Sequence, residues 1–205
     1  MSRGRFVTLE GGEGAGKSTQ LERIAARARA AGLEVVTCRE PGGTPFGERI
    51  REALLGAPEP PSPTAELLAF EAARADLVES VIRPAIERGD LVICDRFTDS
   101  TLAYQHFGRG IERATVEAAN SVATGGLTPD LTVLLDVAPA EGRTRNGGAG
   151  DYLEREQGAF HDRVRAGFLT LATEEPARWL VLDATLGVDE ITDAIWARLS
   201  ALTAD

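Results

Sequence analysis

The chain has 205 residues, 43% hydrophobic and 26% charged, enough for one substantial core and a single α/β domain. Its 32 acidic against 22 basic residues give a net charge of −10, which argues against a nucleic-acid partner bound over a broad surface. A small phosphorylated ligand in one local basic pocket stays compatible. No apolar stretch is long enough to cross a bilayer and the N-terminus has no secretory apolar run, so the cytoplasm is the expected location, with no membrane partner.

The first apolar run, Arg5–Glu10, reads as a strand, and Ser18–Ala31 repeats its apolar residues at helical spacing. Between them stands Gly11-Gly12-Glu13-Gly14-Ala15-Gly16-Lys17-Ser18, a full G-x-x-x-x-G-K-S match in the strand-loop-helix setting that a phosphate loop requires. The glycines allow a tight concavity of inward-facing N–H groups, and the helix that follows adds its positive end. Lys17 is the chain's single lysine among its basic residues. A flexible ammonium follows phosphates as a point charge where a planar guanidinium cannot. Lys17 is therefore expected to reach the β- and γ-phosphates, and Ser18 to offer its hydroxyl to magnesium.

A second strand is expected over Glu34–Cys38, a helix over Phe46–Leu55, and a stiff surface loop over Gly56–Pro63, which holds four prolines. A long helix over Thr64–Glu87 should be bent or interrupted by Pro84. The third strand, Leu91–Asp95, delivers Asp95 at its carboxyl end next to Arg96; the fourth, Leu131–Asp136, ends in a second candidate for the magnesium-facing acid, Asp136. Asp95 is favoured, because an adjacent arginine makes sense beside anionic substrate. Further helices are expected over Arg113–Thr124, Tyr152–Glu174 and Val188–Leu202, with a last strand over Trp179–Asp183. Asn146–Gly150, with three glycines, has the composition of a flexible segment. Alternating strands and helices predict a five-stranded parallel sheet with helices on both faces and ligands at the carboxyl ends of the strands. Cys38 and Cys94 each close an apolar run and read as buried thiols rather than a disulfide or metal site.

Further stretches carry a family resemblance: Arg39-Glu40-Pro41-Gly42-Gly43-Thr44, Phe70-Glu71-Ala72-Ala73-Arg74, the run from Asp95 to Gln105, Gly108-Arg109-Gly110-Ile111 and Pro129-Asp130-Leu131. Together with the phosphate loop they make the chain resemble thymidylate kinase, a P-loop nucleoside monophosphate kinase, from the first strand to the last helix. The resemblance implies one kinase domain over 1–205 with a lid near residues 139–155, ATP and dTMP as substrates, magnesium as cofactor, and a homodimer. It implies that Gly11, Gly12, Glu13, Gly14, Ala15, Gly16, Lys17, Ser18 and Thr19 line the ATP phosphates, with Asp95 and Ser18 at the metal. Phe70 would stack on thymine, Arg74 would donate to a base oxygen, and Thr101 and Gln105 would meet the base edge. Tyr104 would occupy the space of a ribose 2′-hydroxyl. Arg96 and Arg51 would serve the acceptor phosphate, Glu13 the acceptor sugar hydroxyl, and Glu40 the same substrate through water or magnesium.

The chain departs from the family in its lid. Some members carry an arginine after the loop acid, where this chain has Gly14, and the lid motif Asp-Arg-hydrophobic-Glu has Tyr152 in the arginine's place. Arg143, Arg145 and Arg155 remain. Arg145 would lie against adenine, and Arg155, expected to open the helix after the flexible stretch, is favoured over Arg143 for the transferred phosphate. Two rivals are weighed: a kinase for another nucleoside monophosphate, which the Phe70–Arg74 pair and Tyr104 speak against, and a nucleotide-hydrolysing P-loop switch, for which a water-positioning motif is missing.

Overall fold

A computed structural model describes residues 3–57, 59–146 and 151–203. Five strands, β1 (Arg5–Glu10), β2 (Val35–Arg39), β3 (Leu91–Asp95), β4 (Leu131–Asp136) and β5 (Trp179–Asp183), form one parallel sheet in the order β2-β3-β1-β4-β5. The chain therefore steps outward from β1 in one direction, then returns past it in the other. That reversal opens a crevice at the carboxyl ends of β1 and β3, where the phosphate loop leaves the sheet.

Period-two alternation sends successive side chains to two cores. Val7 and Leu9 of β1 join Ile93 of β3 and Val133 of β4 beneath α1 (Lys17–Ala30) and α9 (Val188–Thr203), whose Ile24, Ala28, Ile195 and Leu199 complete that layer. On the opposite face, Phe6, Val92 and Cys94 pack with Leu77, which ends α3 (Pro63–Leu77), and with Ile82, which stands just before α4 (Arg83–Arg88). α2 (Pro45–Leu55) precedes α3 and packs against it. Leu134 and Trp179 meet α8 (Gly158–Glu174) in a third cluster that contains Tyr104, Phe160 and Phe168.

The helix expected over Thr64–Glu87 is three pieces: α3, a π-helical turn over Val78–Ile82, and α4. Pro84 stands in the first turn of α4, and the Arg83 N–H bonds back to Val78 O, the wide spacing that absorbs the residue a proline cannot hydrogen-bond. After β3 the short α5 (Thr98–Thr101) runs into a second π-helical stretch, Leu102–Gly108, followed by α6 (Arg113–Thr124). The helix expected over Tyr152–Glu174 starts instead at Gly158. The Asp151 carboxylate accepts from the Leu153 and Glu154 N–H groups, at 2.9 and 3.0 Å, and so closes residues 152–155 into a turn. Part of the lid is helical, as α7 (Pro139–Asn146). Residues 147–150 of the glycine-rich stretch expected to be flexible lie outside the described residues. Cys38 and Cys94 are register partners on β2 and β3 and are free thiols.

Candidate active site

At the end of β1 the chain must turn into α1 within six residues, and positive φ at Gly14 (65°) and Gly16 (89°) makes that turn possible. Lys17, the first residue of α1, is buried, and its ammonium donates to the Gly11 and Gly12 carbonyls at 3.2 and 2.9 Å. Burial, with Arg96 nearby, pulls Lys17 down to about 8 against the attraction of Asp95, Glu10 and Glu13. Ser18 Oγ donates to Asp95 Oδ2 at 3.2 Å, while Asp95 Oδ1 is buried without a partner. Asp136, the other candidate acid, is occupied by Arg165, with bonds of 2.7 and 2.8 Å, so the geometry agrees with the preference for Asp95.

One cavity of about 620 Å³ joins these groups to the rest of the expected site. It is lined by Glu13 to Thr19, Glu40, Arg51, Phe70, Arg74, Asp95, Arg96, Thr101, Tyr104, Gln105 and Arg145, and also by Arg39, Ser100, Asp151, Glu154 and His161. Gly11 lies outside this lining; Gly12 sits with Arg143 in a smaller adjoining depression against Glu13 and His161. Arg155 is exposed in the 152–155 turn and lines neither space, and it does not open a helix. Of the two arginines weighed for the transferred phosphate, the fold thus brings Arg143 on α7, and not Arg155, beside the phosphate loop.

α7 reaches the loop because two glycines meet there. A Cβ on Gly14 would stand 2.1 Å from Gly142 O, and one on Gly142 would stand 2.2 Å from Glu13 O. The loop position where some relatives place an arginine is filled here by the backbone of α7.

At the far end of the cavity Arg74 is 2% exposed and held by two acids and one amide on three separate stretches of the chain. Its Nε and Nη2 both donate to Glu40 Oε2, at 2.8 and 2.6 Å, and Nη1 donates to Glu71 Oε1 at 2.6 Å and Asn120 Oδ1 at 2.8 Å. Four of five guanidinium hydrogens are engaged, which fixes the plane and leaves one on Nη2 for a ligand. Burial works against the charge of Arg74, yet Glu40 and Glu71 hold its pKa above the ordinary arginine range. Burial raises Glu40 to about 7 despite Arg74. Phe70, one helical turn before Arg74, belongs to no core cluster and is partly exposed into the cavity, the surface a flat ring would need. Thr101 and Gln105 are buried at the same wall, with Gln105 Nε2 donating to Glu66 Oε1 at 2.8 Å. Tyr104 is wedged edge-on between Phe160 and Phe168.

Between the two ends stand the arginines. Arg96 Nη1 donates to Gly11 O and Ser100 Oγ, both at 3.1 Å, and Nη2 to Tyr104 Oη at 3.3 Å. Arg51, half-buried, donates to Pro41 O at 2.9 Å. Arg145 donates to Ala184 O at 2.8 Å and to Glu141, which anchors it at the outer rim beside the loop after β5. Glu154 of the lid turn and Glu13 of the phosphate loop share a hydrogen bond; burial and that acidic neighbour push Glu154 up to about 7.

The sequence reading missed Asn120, which holds Arg74, and His161, which lines the cavity. Asn120 is a polar residue on the buried face of α6, with Val116 and Ala123, a position that signals a partnered side chain. His161 is buried in α8 with Nε2 unpartnered, and burial, with Arg143 nearby, keeps its pKa below the ordinary histidine value. No spacing rule marked either residue.

Residues 9–195 match the family model described as thymidylate kinase. The chain belongs to the thymidylate kinase family. A thymidylate kinase of Deinococcus radiodurans is 54% identical over 202 residues, covering 98% of both chains, and one of Methylococcus capsulatus is 47% identical over 206 residues, covering 100% of this chain and 99% of its own. The crystal structure of thymidylate kinase from Ehrlichia chaffeensis superposes with a TM-score of 0.80 at 31% identity, covering 97% of this chain and 99% of that one.

Proposed function

We infer that this chain transfers the γ-phosphoryl group of ATP to dTMP, giving ADP and dTDP. The observation that carries the reading is a single cavity with a phosphate loop at one end, Phe70 and Arg74 at the other, and Arg96 and Arg51 between them. Family membership selects thymine among the bases such a pocket could take.

The acceptor is a phosphate oxygen, anionic at neutral pH, so no strong general base is required and the protein's work is alignment and charge neutralisation. The loop N–H groups and Lys17 hold the donor phosphates. Arg96 and Arg51 hold the acceptor phosphate, and Glu13 turns toward the acceptor sugar hydroxyl. Tyr104, braced by two phenylalanines, fills the space a 2′-hydroxyl would enter. Arg145 lies against the adenine. Ser18 and Asp95 suit Mg2+, since the unpartnered Asp95 Oδ1 beside a hydroxyl is a hard oxygen pair; the ion, when bound, offsets charge on the β- and γ-phosphate oxygens. Arg143 is assigned to the transferred phosphate in preference to Arg155, because it adjoins Gly12 and Glu13.

A homodimer is supported by exposed apolar side chains on three helices that pack in series, α2 on α3 and α3 on α6: Phe46, Leu68 and Val122 are 51%, 59% and 85% exposed. Among the described residues no helix is long and apolar enough to span a membrane. In this reading the chain works in the cytoplasm, where Cys38 and Cys94 stay reduced. A coupled assay for ADP tests the reaction: ADP should form with ATP and dTMP together and not with ATP alone. Turnover of ATP that is indifferent to dTMP would mark a hydrolysing switch instead.

A further inference from the structure

One buried acid stands beside the arginines without a part in the reaction as described. Glu10, the last residue of β1, has no solvent exposure. We propose that Glu10 is the positioning residue of Arg96, holding that arginine toward the acceptor phosphate through the Phe97 amide and the Ser100 hydroxyl; the proposal rests on the assignment of Arg96 to that phosphate.

Arg96 has a φ of 70° and is the one non-glycine residue with positive φ among the described residues. A left-handed arginine is disfavoured on its own and persists where its surroundings over-determine it. Here the surroundings act on both sides of the residue. Its own N–H donates to Leu9 O at 3.0 Å, and the next N–H, that of Phe97, donates to Glu10 Oε1 at 2.8 Å. The second Glu10 oxygen meets Ser100 Oγ at 2.5 Å, and Ser100 Oγ in turn accepts from Arg96 Nη1 at 3.1 Å. One carboxyl group therefore fixes the backbone turn that aims Arg96 and, through one hydroxyl, the guanidinium itself.

Phe97 is fully buried, so without Glu10 its N–H would lose its acceptor in a dry site. The bridge does not depend on one protonation state. Burial and Asp99 raise Glu10 to about 8, against Ser100, Arg96 and the Phe97 amide, and Lys17 and Tyr104 also face it. A carboxylate accepts from Ser100 and a carboxyl donates to it, and in both cases Oγ keeps a lone pair for Arg96.

The test is dTMP binding by calorimetry to the wild type, Glu10→Ala, Glu10→Gln, Ser100→Ala, Arg96→Ala and the Glu10→Ala/Arg96→Ala pair, with binding of a non-hydrolysable ATP analogue measured in parallel. Glu10→Ala should weaken dTMP about tenfold or more, as leaving a buried N–H and a buried hydroxyl without their shared partner does. Analogue binding should hold within about twofold, far less than the tenfold that 1.4 kcal/mol represents. Glu10→Gln, which still offers an acceptor to Phe97 and an amide to Ser100, should recover most of the affinity. In the Arg96→Ala background Glu10→Ala should add little, because its target is gone. If Glu10→Ala does not fold, Ser100→Ala carries the same expectation with a smaller loss. Additive losses, equal losses for both ligands, or wild-type dTMP affinity in Glu10→Ala or, where that variant does not fold, Ser100→Ala would overturn the proposal. Wild-type affinity in Arg96→Ala would instead remove the assignment on which it rests.

Discussion

Gly142→Ala sets two physical effects against each other. Gly142 lies in α7, and alanine in a helix interior is worth about 0.8–1.0 kcal/mol more than glycine, so propensity alone favours the variant. Its Cβ, however, would stand 2.2 Å from Glu13 O, with Val137 Cγ1 at 3.5 Å, and the nearer neighbour is backbone of the phosphate loop, which cannot rotate away. Overpacking of this kind costs roughly 1–3 kcal/mol. The strain falls on the seam between α7 and the loop rather than on the sheet, so the seam is expected to open. If all of it is expressed in the docking that brings Arg143 to the transferred phosphate, kcat/KM for ATP falls about 5- to 150-fold. Thermal denaturation should move by no more than a few degrees, because the helix gains what the seam loses in part. Steady-state kinetics with varied ATP, beside a melting curve, decide the matter. A variant within about twofold of wild type in kcat/KM would refute the view that backbone contact between α7 and the loop organises the donor site, since that is well below the tenfold of 1.36 kcal/mol.

Lys17 is lowered to about 8 chiefly by burial, so its positive charge in the ATP-free protein is present below that pH and lost above it; kcat/KM for ATP should decline as pH rises through about 8, and a flat profile to pH 10 would contradict the assignment. Lys17→Ala should lose activity by orders of magnitude and keep its fold, as circular dichroism would show. With one Nη2 hydrogen of Arg74 left for the base, a carbonyl is accepted and the amino group of cytosine is not, whereas a missing methyl costs only roughly 1–3 kcal/mol. dUMP should thus be a slower but measurable substrate and dCMP nearly inert, and equal kcat/KM for dCMP and dTMP would remove Arg74 from base selection. Arginines over a transferred phosphate contribute about 10³–10⁵ in rate, so Arg143→Ala should drop kcat steeply with dTMP affinity unchanged while Arg155→Ala stays near wild type; the reverse order would restore Arg155 to the role.

Much of the fold was legible because its signals are local. Five apolar runs of strand length, a phosphate loop between strand and helix, and alternation of the two element types fix a parallel sheet with little ambiguity, and the strand bounds shift by one residue only at β2. The misreadings share a cause. Tyr152–Gln157 is rich in helix formers, with Leu153, Glu154, Arg155, Glu156 and Gln157 in a row, yet the single Asp151 carboxylate caps two N–H groups and turns the chain before α8 begins. The run after Asp95 is helical without an amphipathic pattern, because Asp99, Ser100 and Gln105 are buried polar residues with tertiary partners, and a periodicity rule counts them as exposed.

The candidate site divides along the same line. The residues proposed to meet the donor phosphates could be named from the spacing of the phosphate loop, and those proposed for the acceptor from the stretches that carry the family resemblance; several residues that hold them come from distant elements and belong to neither. Arg74 is aimed by Glu40 from the loop after β2 and Asn120 from α6, 34 and 46 positions away, and Arg96 by Glu10, which precedes the phosphate loop by one residue and belongs to no spacing rule. The lid makes the difference concrete. Read as a string, Arg155 follows the flexible stretch and is the natural arginine to swing inward. In three dimensions α7 approaches the loop where Gly14 and Gly142 meet, two residues without side chains, and the arginine next to Gly142 lies beside the loop where Arg155 does not. What selects Arg143 is the absence of a Cβ at two positions 128 apart in sequence, a property that only the packed backbone reveals.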